Sequence, residues 1–524
     1  MDELNKSFDD LLIESGDEFD EGEDVLESSE ESDWNSSDEQ SDSSDDGSQW
    51  SLTIRRRDQF RFQGFEGVLD RDVLKYQHPI QFYRRFITDE MIELIIRETK
   101  RYGLSKYPDW TDIDEEELLK FLAICFQMGL EIRSNLKDYW STRKVFSESF
   151  AAKLISRNRF VQILDAFHFA DNDASDKSNR LYKIQPILDM HNEEFAAVYS
   201  PGKNVCIDES MIPFRGRVIF RQYIRGKRHK FGIMVYKLCC AGGYTCKFIV
   251  YAGQQRDTTC PSSQQAVLDL VAPYLNEGRT VTADNFYTSI ALAELLAEQK
   301  TNYVGTLREN RLGIPTDIKN ARLKRGEVVA RQNNKGVTVL KWKDKREMYM
   351  LSTCHDASKS QSNKPVMVED YNLAKGSVDL SDQMCSYTPF VRKTTKWYLR
   401  PFFHLVTQTS LANAWHVYCV VKERISNKEF KCRITESILE GWRPTEPTTS
   451  KPKLCEVSGP KRTSRRCVNC YKYASRIRGA PYARSHAVLV NTKCSKCGQF
   501  FALVVFRHLT RNALFDLCKY LLIL

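Results

Sequence analysis

The sequence predicts an α/β chain built on one mixed sheet, with helical segments before and after it, and three stretches carry that prediction. Residues 204–230, NVCIDESMIPFRGRVIFRQYIRGKRHK, begin with the apolar run Val205, Cys206, Ile207 of a strand, place Asp208 at its end, and continue through a dense series of bases. Residues 280–287, TVTADNFY, repeat the layout, with a β-type run ending in Asp284. Residues 371–384, YNLAKGSVDLSDQM, offer Asp379 and Asp382 three positions apart, so that a helix there turns both carboxylates to one side.

The elements between these stretches follow in order. After the first acid come two more β-type runs, 231–240 and 247–251, then an amphipathic helix over 263–274. The second acid ends the next strand and precedes a helical pattern over 289–300. Strand, strand, strand, helix, strand, helix and a later acidic helix is the order of an RNase H-like fold. One acid set among so many bases asks for a counter-charge, and a metal ion held against a phosphate backbone supplies it.

At these residues the chain resembles the piggyBac-family transposases, cut-and-paste enzymes of the DDE/DDD superfamily. The matching motifs are IDESMIPFRGR (207–217), YIRGKRHKFGIMVY (223–236), ADNFYTSIALAELL (283–296), VGTLRENR (304–311) and YNLAKGSVDLSDQM (371–384). They occur in family order, and the similarity runs from about residue 76 to residue 497. The resemblance implies an RNase H-like catalytic core with Asp208, Asp284 and Asp379 as ligands of a two-metal Mg²⁺ site and Asp382 as a fourth acid. Two such ions serve a phosphodiester by activating the attacking oxygen and stabilising the leaving one, and convergent carboxylates hold Mg²⁺ while leaving it open positions.

Charge supports a polyanionic partner. The 524 residues carry a net charge of +8, yet the first fifty hold 20 Asp and Glu against one Lys, a net −19, which leaves +27 on the remainder. A body so basic fits double-stranded DNA, and neither a small-molecule substrate nor a membrane is expected. No leader pattern and no stretch of about 20 apolar residues is seen, and 16 cysteines without such a leader read as reduced thiols. The expected address is nuclear.

The chain is expected to divide as follows. Residues 1–60 form an acidic tail with too little apolar surface to fold. Residues 76–203 are helical, with Thr88 capping a helix over 89–102 and a second apolar pattern over 118–130. The core occupies 204–307 and resumes at 366–387, interrupted over 308–365 by a small β-rich insertion with β-type runs at 326–330, 337–342 and 348–352. The resemblance implies DNA contact for that insertion, and dimerisation with transposon-end binding for 76–203 together with helices over 388–442. A basic linker, 443–466, carries KRTSRR, a candidate nuclear-import patch, ahead of a Cys-rich module at 467–507.

Candidate DNA contacts are Arg215, Arg217, Lys230 and Arg308, each close to an acid in sequence, and the segment RKTTKWYLRPFF (392–403). There Arg392, Lys393 and Trp397, with Tyr398, suit base stacking, while a helix start with core aromatics is the competing reading. Cys467-x-x-Cys470 and Cys494-x-x-Cys497 form a zinc pattern, since each pair supplies two thiolates at tetrahedral reach. Family members continue into a second zinc, but Ala502 stands where a further cysteine is expected. Ser28, Ser36 and Ser43 each have an acid three residues on, the pattern of an acidophilic kinase.

The expected activity is Mg²⁺-dependent DNA cleavage and strand transfer. The resemblance adds a hairpin on the released end, insertion at TTAA, and a homodimer on transposon ends. The alternative is a domesticated DNA- or chromatin-binding protein that keeps the fold without the reaction.

Overall fold

The computed structural model describes residues 50–442, except 53, 55–59, 147–148, 226–228, 254–261 and 391–393, together with scattered residues between 454 and 494. The chain falls into two compact units, one of Met91–Trp442 with the residues before Thr88, the other of Arg443–Leu524 with Thr88–Glu90. Among the described residues no helix is long and apolar enough to cross a membrane.

In the first unit the helices come first: α1 (Asp89–Lys106), α2 (Glu115–Leu130), α3 (Arg157–Ala166) and α4 (Gln185–Val198). Each start is chemically marked where a short polar residue can cap it. The Asp114 carboxylate accepts the Glu117 N–H at 2.8 Å, and the Ser156 hydroxyl accepts that of Arg159 at 3.3 Å. Apolar residues of α2 and α3 then meet as stacked Phe121 and Phe160 rings, 4.4 Å between centroids, a contact adding about 0.5–1.5 kcal/mol beyond burial.

The sheet follows as β1 (Asn204–Pro213), β2 (Phe231–Cys240) and β3 (Thr245–Val250), helix α5 (Ser262–Val271), β4 (Thr280–Ala283), helix α6 (Ile290–Glu298) and β5 (Asn302–Leu307). Nine of the ten β2 residues are buried, as an almost unbroken apolar run in an interior strand requires. A tight turn joins β2 to β3 through Gly242 and Gly243 at φ 81 and 77, and a Cβ on Gly242 would stand 2.5 Å from the His416 ring. Within the sheet the strands lie in the order β3, β2, β1, β4, β5, antiparallel up to β1 and parallel from β1 to β5. This is the element order expected from the sequence.

The insertion carries the three β-strands expected of it and adds them to the sheet of the core. Its strands β6 (Val328–Asn333), β7 (Thr338–Lys343) and β8 (Glu347–Ser352) continue the same sheet, because β8 pairs antiparallel with β5, Leu351 opposite Gly305. The tail boundary differs from that expected. Trp50–Ser51 pairs with the outer edge of β6, Trp50 opposite Asn333, and the Phe60 N–H donates to Asn302 Oδ1 at 3.1 Å, so residues within the expected tail already join the folded body. Residues 1–49 lie outside the described residues.

After the insertion come α7 (Val366–Ala374), α8 (Ser377–Ser386), a short helix Leu399–His404 passing into a π-type turn Leu405–Thr409, then α9 (Ser410–Val421) and α10 (Asn427–Leu439). Helix α10 packs on α2, and α9 on the short helix Pro79–Arg84, so segments from both sides of the sheet in sequence share one core. The buried Asn413 amide ties α9 to the sheet, accepting from the Thr245 N–H and donating to its carbonyl, each at 2.9 Å. That amide satisfies two β3 backbone groups that would otherwise be buried unpaired.

Candidate active site

Strands β1 and β4 run parallel with Ile207 opposite Ala283, the last paired residue of β4, so Asp284 leaves β4 beside Asp208, which lies within β1 rather than at its end as expected, since β1 runs on to Pro213. Parallel neighbours are about 4.8 Å apart, and register partners face the same side of a sheet. The turn after β4 fixes Asp284: its carboxylate accepts the Phe286 N–H at 2.9 Å, and its carbonyl accepts the Thr288 hydroxyl at 2.7 Å. Arg311 clamps the same turn, donating to the carbonyls of Asn285 at 3.1 Å and Phe286 at 2.6 Å.

Burial raises the Asp284 carboxyl above its ordinary value, and the neighbouring Glu209 carboxylate adds to the rise. Beneath the pair lies Tyr287, fully buried, with its phenol pushed well up by burial and then by Glu209, Asp208 and Asp284. Its hydroxyl points to Glu209 Oε2 at 3.5 Å. Asp379 enters from the first turn of α8, where it is exposed. The buried Cys206 thiol is raised by burial, then by Asp208 and more weakly by Asp379, and it donates to the Lys375 carbonyl at 3.1 Å, which seats the α7–α8 junction on β1. Tyr371, pushed up to about 12 by burial, also feels Asp284 and Asp208.

The acids therefore share one electronegative neighbourhood on hard oxygen donors, the donor type that suits Mg²⁺. Among the described residues, no three His, Cys, Asp or Glu side chains stand close enough together to hold a metal ion. Asp382 behaves differently from the other three. Its Oδ1 accepts from Lys237 Nζ at 2.8 Å and from the Ser210 hydroxyl. Burial raises this carboxyl, but Lys237 and Ser210 outweigh burial and hold it below the ordinary value, while Asp382 in turn raises the buried Lys237 ammonium against its own burial. With one oxygen committed twice, Asp382 anchors α8 to β1 and β2.

The candidate DNA contacts separate by exposure. Arg215, Arg217 and Lys230 are exposed in the stretch after β1. Arg308 is half-buried and donates to the Asn285 side chain at 3.3 Å, beside Arg311. Trp397 is half-buried edge-on to Phe220, 5.1 Å between centroids, and Tyr398 is 4% exposed within the core, so stacking on Tyr398 is corrected to packing. Arg392 and Lys393 lie outside the described residues.

In the second unit, Arg465–Arg466 pairs with Leu489–Val490, and Leu454–Glu456 with Thr492–Cys494. Cys467 is buried directly after the first of these strands. Cys470, Cys497 and the Cys494 side chain lie outside the described residues. Lys237, Ser210, Glu209, Tyr287, Tyr371 and Arg311 were not among the residues expected from the sequence. A lysine inside the apolar run of β2 was the one available signal.

A family model described as "Transposase IS4" matches residues 78–415. Among curated proteins, the human PiggyBac transposable element-derived protein 3 is 28% identical over 402 residues, 70% of this chain and 66% of that protein. The human PiggyBac transposable element-derived protein 2 is 25% identical over 366 residues, 65% of this chain and 61% of that protein. The chain thus spans less than two thirds of the length of each of these relatives. Among solved structures, a piggyBac transposase in a synaptic complex with hairpin DNA aligns with a TM-score of 0.66 and 26% identity, over 84% of this chain and 98% of that one. With the family model covering residues 78–415, the chain belongs to the Transposase IS4 family, in its piggyBac-type branch.

Proposed function

We propose that the protein is a piggyBac-type DNA transposase with an RNase H-like core, performing Mg²⁺-dependent cleavage and strand transfer at TTAA sites. The observation that carries this reading is the parallel register that sets Asp284, at the end of β4, beside Asp208 within β1, with the helix that bears Asp379 seated on β1 through the Cys206–Lys375 hydrogen bond. Asp208, Asp284 and Asp379 would hold the metal. Bound there, Mg²⁺ would supply activation of the attacking oxygen and charge neutralisation at the leaving one.

The chain's own residues set the stage for that chemistry. Arg311 and the Phe286 N–H fix the turn that aims Asp284, Cys206 and Lys237 fix α8, and the buried Tyr287 hydroxyl reaches Glu209. Exposed Arg215, Arg217 and Lys230 take phosphates, and Arg308 lies beside Asn285 at the rim. In the second unit, Cys467, Cys470, Cys494 and Cys497 bind one Zn²⁺. The working form is a nuclear homodimer on double-stranded DNA; the solved piggyBac transposase structure is a synaptic complex with hairpin DNA.

The relatives' names, "transposable element-derived", favour a second reading, a domesticated DNA-binding protein without the reaction. One experiment tests both. Asp208→Asn, Asp284→Asn and Asp379→Asn, made singly, should each abolish Mg²⁺-dependent cleavage of an end-containing duplex while leaving DNA binding intact. Wild-type cleavage by all three variants would sink the site, and binding without cleavage by the unaltered protein would favour domestication.

A further inference from the structure

Directly after β1 the chain makes a short antiparallel pair at the sheet's edge, Gln222 opposite Gly232 and Tyr223 opposite Phe231. Cross-strand aromatic pairs usually gain by hiding their faces. Here Tyr223 remains 44% exposed and Phe231 41%, with ring centroids 4.8 Å apart and planes tilted by 50°. The Arg221 guanidinium lies 5.1 Å from the Phe231 centroid and is tied back to the carbonyls of Arg215 at 2.9 Å and Gly216 at 3.3 Å. Exposed Arg215, Arg217, Arg225 and Lys230 surround the pair, and residues 214–232 include no Asp or Glu.

We propose that Tyr223 is a stacking platform for an unpaired or terminal base of DNA, backed by Phe231 and flanked by arginines that take the adjoining phosphates. The chemistry of this surface selects the ligand. An exposed ring pair within an all-basic surface fits a partner that is both aromatic and anionic, and a nucleotide strand is both. A base cannot enter between the two rings, since that needs two stacking intervals of about 3.4 Å, so it lies on the outer face of Tyr223. Paired bases inside a duplex present no free face, which restricts the platform to frayed, nicked or overhanging ends. Lys237, the partner of Asp208, lies six steps along β2 from Phe231, which puts the platform about 20 Å from Asp208, within one DNA footprint.

The inference rests on the DNA-handling reading above, but its readout needs no cleavage. The full chain is titrated with a duplex bearing a single-stranded overhang that contains 2-aminopurine, and with the same duplex made blunt. Wild-type protein should quench the overhang fluorescence. Tyr223→Thr, which suits an edge strand but lacks the ring, should lose the quench and bind overhang DNA about tenfold more weakly, with blunt DNA unchanged. Tyr223→Trp should keep both quench and affinity. Absence of quenching by the wild type, or equal weakening on both DNAs, overturns the platform. A protein that quenches without cutting overturns only the enzyme reading, and one that cuts without quenching overturns only the platform.

Discussion

Lys237 Nζ lies 2.8 Å from Asp382 Oδ1, with the lysine side chain 2% exposed and the aspartate 37%. Lys237 is also the β2 partner opposite Asp208, so one ammonium links the strand beside the first acid to the helix that bears the third. Asp382 lies three residues beyond Asp379 on α8, and a shift of that helix would move Asp379 with it.

Lys237→Met should therefore act on both stability and chemistry. Removing one member of a fully buried pair costs about 3–5 kcal/mol, and the partial solvent contact of Asp382 lowers the expectation to about 2 kcal/mol. Urea unfolding measures that loss, and the double variant with Asp382→Asn should recover part of it. Cleavage should fall more than DNA binding does. Unchanged stability and unchanged cleavage together would show that the pair anchors nothing.

Asp165 offers an acid-stability test away from the site. Burial alone would raise its carboxyl, but hydrogen bonds from Lys106, Tyr107 and Lys396 outweigh it and hold the group down to about 2. A carboxyl depressed in the folded state stabilises fully above its unfolded value near 3.8 and loses that contribution as pH falls through about 2. Lys396 works the other way, since burial lowers its ammonium despite Asp165, so the net contribution is about 1–2 kcal/mol. Asp165→Asn should lose that amount at pH 7 and show a shallower fall in stability between pH 4 and pH 2. An unchanged acid limb in thermal unfolding would exclude this role.

The acidic tail should compete with DNA. Its net −19 is tethered to a body of +27, so the two meet at high effective concentration. Deleting residues 1–48, which spares the paired Trp50, should raise non-specific DNA affinity, most at low salt where screening is weakest. Phosphate on Ser28, Ser36 and Ser43 should lower it. Equal affinities of full-length and shortened chains in low-salt filter binding would reduce the tail to a solubilising appendage.

Zinc is the fourth test. The stretch 461–507, weighed against its metal content, should contain one Zn²⁺ per chain, and Cys467→Ser or Cys494→Ser should release it. A metal-free wild-type segment would rule out a zinc module there.

Asp208 and Asp284 could be read from the sequence because each follows a local apolar run, although β1 runs on past Asp208 to Pro213 and only Asp284 follows a strand end. Lys237 could not. A charged residue within FGIMVYKLCC reads as an interruption, and its partner Asp382 lies 145 residues away, beyond any local pattern. The insertion was half legible: its three strands were visible as β-type runs, but the pairing of β8 with β5 is a tertiary choice that periodicity does not encode. Tyr398 and Trp397 share one composition, and only the packing of Tyr398 among buried rings tells them apart.

That β8–β5 pairing bears on how such a protein can be re-engineered. Without β8, strand β5 would become the border of the sheet that carries the acids, with a row of bare amides and carbonyls open to pairing with another molecule. Residues 308–365 are consequently no detachable cassette. A graft that exchanged them for another segment would have to bring its own strand to close that seam, or trade a closed sheet for aggregation.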